Sequence, residues 1–348
     1  MRVIRDEFIE IRNSFGDERR TEIVQDHSDL LEEDLIPQEE VSSSRCRIGG
    51  YAKAQPIDDY RAQKRGGRGR SAARVKDEDF IDKLFVANTH DTLLCFSSFG
   101  KMYWLKVYQV PQASRGARGK PIVNLLPLSP GERINAVLPI KEFEEDRFVF
   151  MVTSGGTVKK TPLSRFSRPR ASGIIAIDLR EDRLVDVAIT DGAQQILLVA
   201  SNGKAIRFEE ADVRDMGRGA AGVRGIKLTA GHEVIGLSIV GDGMILSATE
   251  NGYGKRTEVS EFPVQGRGGQ GVIAIQTTAR NGRTVGALQV WEDDEIMLIS
   301  SSGTLVRTPV ADISIIGRNT QGVRLIRLED GQRLVGLARI EAMAEEDE

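Results

Sequence analysis

The chain has 348 residues, 40% hydrophobic and 28% charged, which is enough apolar sequence for a packed core. Its formal charge of −3 is unevenly divided: residues 1–40 carry 5 Arg against 13 acids, residues 341–348 carry 5 acids and no base, and residues 41–340 carry 43 bases against 33 acids. A basic body between acidic ends favours an anionic partner. No run approaches the roughly 18 apolar residues of a membrane helix, no apolar leader opens the chain, and Cys46 and Cys95 show no pairing pattern, so a soluble chain in a reducing, cytoplasmic compartment with no membrane partner is expected.

The first predicted element is a helix, because Ile4, Phe8, Ile11 and Phe15 form one stripe at spacings of four and three, and Gly16 ends it. Nothing nearby in the chain supplies a facing surface, so its partner is expected outside this sequence. Residues 17–40 are acidic and nearly aperiodic up to Pro37, as a linker would be.

From Val41 the chain repeats itself, with a marker glycine at Gly50, Gly100, Gly156, Gly203, Gly252 and Gly303. A second glycine follows at Gly69, Gly119, Gly173, Gly222, Gly271 and Gly322, 19 residues later in five repeats and 17 in the third. Within each copy short β-branched runs flank the turns. In the fourth they are Ile196 to Val199, Lys204 to Phe208, Val223 to Leu228 and Val234 to Val240. A repeat of about 50 residues cannot bury a core alone, so the copies must pack radially. The expected fold is all-β, a six-bladed, propeller-like β-pinwheel over residues 41–340, preceded by the short helix and linker of residues 1–40 and followed by an acidic tail at 341–348. Some strands could be lent between neighbours. The first blade departs from the pattern: Val41-Ser42-Ser43-Ser44-Arg45-Cys46-Arg47-Ile48 has little to bury, so its opening strand is expected to be short, frayed or missing.

The chemistry is that of holding a polyanion. Four residues past the marker glycine stand Ala54, Trp104, Lys160, Arg207, Arg256 and Arg307, with Lys159 and Lys255 alongside. The loop before the second glycine holds Arg115, Arg118, Arg165, Arg168, Arg170, Arg214, Arg218, Arg267 and Arg318. In the first repeat that loop is Gln63-Lys64-Arg65-Gly66-Gly67-Arg68-Gly69, three cations among three glycines, offering charge to phosphates and close backbone approach. Equivalent positions on a closed ring trace a basic rim. Bending about 40 bp through a half turn costs on the order of 10 kcal/mol on the elastic estimate, so a wrap needs contacts spread along the arc, which repeated cations provide. Aromatic content of 5% argues against base reading and single-strand stacking. Affinity is therefore expected to fall steeply with salt and to vary little with sequence.

Other chemistries find no support. Gly217 to Gly222 and Gly266 to Gly271 both match GxGxxG, but they precede strands at the same place in successive repeats, whereas a dinucleotide site needs a strand before and a helix after. His27, His90 and His232 lie apart from any ligand-spaced partner, so no metal site is expected. Cys95, within Leu93-Leu94-Cys95-Phe96, reads as a core residue.

The heptad Gln63 to Gly69 resembles the Q-R-R-G-G-K-G box of the C-terminal domain of the DNA gyrase A protein, with Lys64 for the usual Arg and Arg68 for the usual Lys. Asp79-Phe80-Ile81-Asp82, Val86 to Asp91, Arg115 to Gly119, Asn251 to Thr257 and Gly317 to Gly322 are similar to the same family, and the likeness covers nearly the whole chain. The related topoisomerase IV protein typically has a degenerate box or none. The resemblance implies a β-pinwheel that wraps duplex DNA with positive handedness, so that ATP-driven strand passage by gyrase yields negative supercoils. It implies that residues 1–40 end the breakage-reunion part, that the box lies near the junction of first and last blades, and that the partners are double-stranded DNA, the rest of the gyrase A protein and the gyrase B protein in an A2B2 complex. It also implies no catalytic residue and no cofactor in this chain, ATP and Mg2+ acting on the gyrase B protein and the full complex. The competing readings are a propeller serving as a protein-interaction platform, with incidental rim charge, and the equivalent domain of topoisomerase IV.

Overall fold

The computed structural model describes residues 2–16, 40–42, 46–47, 51–56, 81–83, 86–112, 119–302, 305–329 and 331–340. The chain divides into two units, Met1–Pro37 and Gln38–Glu348. In the first, the helix Arg2–Phe15 closes where the Gly16 N–H donates to the Arg12 carbonyl at 2.8 Å. Its stripe of Ile4, Phe8, Ile11 and Phe15 is exposed.

In the second unit the repeats fold into antiparallel sheets whose order is fourth strand, first, second, and then the third strand of the following repeat. The fourth repeat shows the plan: Val234–Val240, Gln195–Ala200 and Lys204–Glu209 are its own strands, and Val272–Ile273 comes from the fifth repeat. The lending of strands left open by the sequence is thus settled: third strands cross to the preceding sheet. They are also shorter than the run from Val223 to Leu228 expected for the fourth repeat. Only two residues pair, because the chain then turns to hydrogen-bond the neighbour's marker turn. Ala274 and Ile275 both donate to the Gly203 carbonyl, and Gly225 and Ile226 donate to that of Gly156.

Both glycines of a repeat are needed by this crossover. Gly203 has φ +79 and Gly271 φ +68, and a Cβ there would lie 2.1 Å from the Ile275 carbonyl oxygen and 2.2 Å from that of Ala205. The side chain is excluded twice, by the left-handed backbone and by the facing chain, the borrowed segment at Gly203 and the receiving strand at Gly271.

The cores lie between sheets. Ile196 and Leu198 pack with Phe150, Val152 and Val158 of the third repeat, while Leu197 and Val199 pack with Ile245, Phe262 and Ala287 of the fifth. A strand buried on both faces needs a continuous apolar run rather than alternation, which is why Ile196 to Val199 is unbroken. Cys95 sits in such a core, as expected, against Tyr103 and Leu105.

The expectation of six four-stranded blades is corrected. Among the described residues the second to fifth repeats build four-stranded sheets, the sixth builds a three-stranded one, Leu334–Ile340, Glu295–Ser300 and Leu305–Pro309, and the first forms no blade-sized sheet, so five blades stand. The first repeat contributes short pairings: Glu40–Ser42 with Gln55–Pro56 and Val86–Asn88, Cys46–Arg47 with Ile81–Lys83, and Tyr51–Ala52 with Lys120–Pro121. The opening strand is short, as expected for a segment with so little to bury. Among the described residues this repeat gives its neighbouring core Ala52, Ala54 and Ala87, and methyl groups remove little apolar area from water.

Candidate nucleic-acid interface

The cations expected on a rim separate into three sets. The first follows the marker glycine by four. Arg256 is 3% exposed; its Nε donates to the Ile313 carbonyl at 2.7 Å and its Nη2 to that of Ala311 at 3.2 Å, while Nη1 meets Glu292 at 2.5 Å. Arg207 likewise donates to the carbonyls of Val259 at 2.9 Å and Phe262 at 3.1 Å. Those carbonyls belong to the short 3-10 helices Val259–Glu261 and Val310–Asp312 of the next repeat and to the residues that end them. Helix ends leave such oxygens without partners, and a guanidinium satisfies them. In the second repeat Trp104 does the same work, its indole N–H donating to the Phe166 carbonyl at 2.9 Å. Lys160, buried, pairs with Asp215 at 3.2 Å and lies 4.7 Å from the Phe148 ring centroid. Arg307 pairs with Glu295 across its own sheet. From the second to the fifth repeat the expected rim position is therefore a joint between neighbouring repeats, and in the sixth it is an ion pair within one sheet.

Lys159 and Lys255 form the second set. Successive strand residues point to opposite faces, so Lys159 turns away from Lys160 and is fully buried, as is Lys255. The Lys159 ammonium donates to the Ala176 carbonyl at 2.6 Å and to that of Arg218. That of Lys255 donates to the carbonyls of Gly317 and Arg318 and to the Thr320 hydroxyl. Burial pushes both lysines down to about 8, and the nearby Arg218 and Arg318 push the same way, against Asp178 and Glu261 respectively. Each is an internal strut under an arginine-bearing loop, where its charge replaces water with backbone oxygens.

The loop arginines are the third set, and they stay outside. Arg165, Arg168, Arg170, Arg214 and Arg267 are exposed, and Arg218 and Arg318 are half-buried. Among the described residues Arg165, Arg168, Arg170, Arg214 and Arg218 form no ion pair, so their charge is uncompensated at close range. Arg267 is held in place by the carbonyls of Asp212 and Arg224, at 2.8 and 3.1 Å, and Arg318 by that of Ile273 at 3.0 Å. Carbonyl partners orient a guanidinium without cancelling its charge. Residues 63–69, with the heptad's cations Lys64, Arg65 and Arg68, and the loop cations Arg115 and Arg118 lie outside the described residues. The sequence reading missed Arg224 and Arg324, both exposed on borrowed outer strands. Each stands two residues past a second glycine, a signal present in only two repeats.

With these sets placed, comparison with known proteins becomes specific. The family model described as the DNA gyrase C-terminal domain, beta-propeller, matches residues 49–88, 91–141, 147–191, 194–241, 243–290 and 294–341, one segment for each repeat. The chain belongs to the DNA gyrase C-terminal domain family. Relatives named as the A protein of DNA gyrase share 56% identity over the whole chain in Salmonella typhimurium and 54% over 96% of it in Escherichia coli. The chain spans about two fifths of the length of those relatives, 40% and 38%. A solved gyrase A C-terminal domain superposes with a TM-score of 0.71 at 28% identity, covering 87% of this chain and all of that one. The C-terminal domain of a topoisomerase IV superposes with 0.75 at 29%, covering 88% of this chain and 94% of that one. Six matched segments stand against five blade-sized sheets among the described residues.

Proposed function

We propose that this chain wraps duplex DNA around the edge of its β-pinwheel and thereby serves a DNA gyrase that introduces negative supercoils. The single observation that carries the reading is the set of arginines without ion pairs among the described residues in the corresponding loops of the third and fourth repeats, Arg165, Arg168, Arg170 and Arg214 exposed and Arg218 half-buried. Arg267 and Arg318 continue the series. Distributed charge of one sign holds a stiff polyanion bent, because each phosphate contact offsets part of the elastic cost. The buried cations take no part in that contact. The heptad Gln63 to Gly69 holds the DNA where its path closes.

In this reading the chain is a non-catalytic portion of the gyrase A protein. Its partners are double-stranded DNA, the rest of the gyrase A protein and the gyrase B protein in an A2B2 assembly, where ATP and Mg2+ act. Residues 1–40 lead out of the breakage-reunion part, and the complex works in the cytoplasm. The topoisomerase IV reading is favoured by one observation, the somewhat higher TM-score to that domain; it predicts contact with DNA and a weak wrap or none. The test is to bind the chain to a nicked plasmid, ligate, remove the protein and read the linking number. A positive shift that grows with protein is expected. No shift at saturation would reduce the function to simple binding.

A further inference from the structure

We propose that Tyr253, Arg280, Arg324 and Arg327 form a binding site for a backbone phosphate of duplex DNA, separate from the loop arginines; the inference rests on the DNA-binding reading above. The four residues line one concavity of about 540 Å³ on the fifth blade. Tyr253 and Arg324 are direct cross-strand partners, one on the blade's second strand, Tyr253–Glu258, and the other on the outer strand lent by the sixth repeat. The Arg324 Nη2 donates to the Tyr253 hydroxyl oxygen at 3.1 Å. That oxygen already accepts a hydrogen bond, so its own proton is available to an incoming acceptor. The guanidinium carbons of Arg280 and Arg324 lie 4.9 and 5.6 Å from the Tyr253 ring centroid, and the aromatic face keeps both cations at the concavity.

Arg280 is brought there by a fixed turn. Asn281 is fully buried; its Nδ2 donates to the Gln276 carbonyl at 2.6 Å and the Gln321 carbonyl at 3.2 Å, and its Oδ1 accepts from the Thr278 N–H at 2.8 Å. The Asn251 amide adds a hydrogen bond to the Arg280 carbonyl at 3.0 Å. The corresponding turns of the second and third repeats are held by carboxylates, Glu132 and Asp182. Here neutral amides replace them, and no carboxylate among the described residues pairs with Arg280, Arg324 or Arg327. Glu250, the acid next to Asn251, accepts from the Arg283 N–H and faces Arg333 at 3.9 Å. Three like charges gathered without a counterion call for an anion, and planar guanidinium groups beside a hydroxyl donor suit the oxygens of a phosphate. Hydrogen bonding to Arg280 and Arg324, and then their charges, also hold the Tyr253 hydroxyl below the usual tyrosine range.

The experiment compares the full chain with its Arg280→Gln, Arg324→Gln and Tyr253→Phe variants, binding a short duplex over a salt series, with thermal midpoints measured alongside. Each Arg variant should lower the slope of log K against log salt by about one unit and weaken binding roughly tenfold, with Tyr253→Phe weakening it less and leaving the slope alone. Arg280 sits on an exposed turn, so its variant reports on binding even if Arg324→Gln unfolds. Unchanged slopes overturn the proposal. So does a loss confined to inorganic tripolyphosphate, which would make the ligand a free anion rather than DNA. The linking-number shift of the unaltered chain separates the two readings: a shift with unaffected variants removes only this site, and no shift with weakened variants removes only the wrap.

Discussion

Arg256 and Arg214 are chemically alike and do opposite things, which makes them the sharpest residue-scale contrast in the molecule. Replacing Arg256 with Ala strands the buried Ile313 carbonyl and leaves Glu292 without its partner, and it should cost about 2–4 kcal/mol in a urea titration, while leaving short-duplex affinity per folded molecule unchanged. Replacing exposed Arg214 with Ala should leave stability within about 0.5 kcal/mol and lower the salt slope of DNA binding by about one unit. The buried lysines add a pH signature. Lys255 is ordinarily protonated up to 10.5 and in the fold only up to about 8, so the folded state binds fewer protons than the unfolded state between those values. Stability contributed by this group is therefore present above 10.5, and lost as pH falls through 8. A Lys255→Met variant carries no such proton. The unaltered chain should gain thermal midpoint relative to that variant between pH 7 and pH 9, and a pH-independent difference would show that burial beneath the loop does not lower the lysine's hold on its proton.

At the scale of elements, the glycine pair is the device that joins one repeat to the next. Gly203→Ala adds a Cβ against the Ile275 carbonyl at a positive φ, and it should destabilise the chain by about 1–3 kcal/mol, measured by chemical denaturation. Ala at Gly231, also at positive φ but with nothing within 4 Å of its Cβ, should cost about 1 kcal/mol, so the difference isolates the borrowed strand. This joint was legible in the sequence as spacing, since Gly203 and Gly222 recur at a fixed offset through the chain, and so was the repeat architecture. The crossover itself was not: Val272–Ile273 reads equally well as a strand of its own repeat, because pairing partners leave no mark on a two-residue run. The cations misled for a related reason. A joint repeated in successive blades and a contact repeated around a rim impose the same period, so Arg207, Arg256 and Lys160 were indistinguishable by spacing from Arg165 and Arg214. Trp104 was the clue, since a position filled in turn by indole and guanidinium asks for an N–H donor rather than for charge.

On the scale of the whole molecule, the decisive quantity is the difference between touching DNA and keeping it bent. A duplex much shorter than the arc remains nearly straight and loses only the few phosphate contacts that a substitution removes. A wrapped segment also carries the elastic cost of its curvature, on the order of 10 kcal/mol for about 40 bp through a half turn, and the contacts at the end of the path decide whether the last part of that arc stays down. Charges near the middle can be lost one at a time, because neighbours on both sides still hold the duplex against the edge. Charges at the closing point have neighbours on one side only. The heptad Gln63 to Gly69, in the first repeat, is the candidate for that closing point. Replacing Lys64, Arg65 and Arg68 together with Ala should therefore abolish most of the linking-number shift while weakening a short duplex by little more than three ordinary loop arginines would, and the triple variant Arg165→Ala, Arg168→Ala, Arg214→Ala supplies that reference. Equal losses of shift and of short-duplex affinity in the two triple variants would mean that the heptad is one contact among many, and that the wrap is held by the sum of its charges alone.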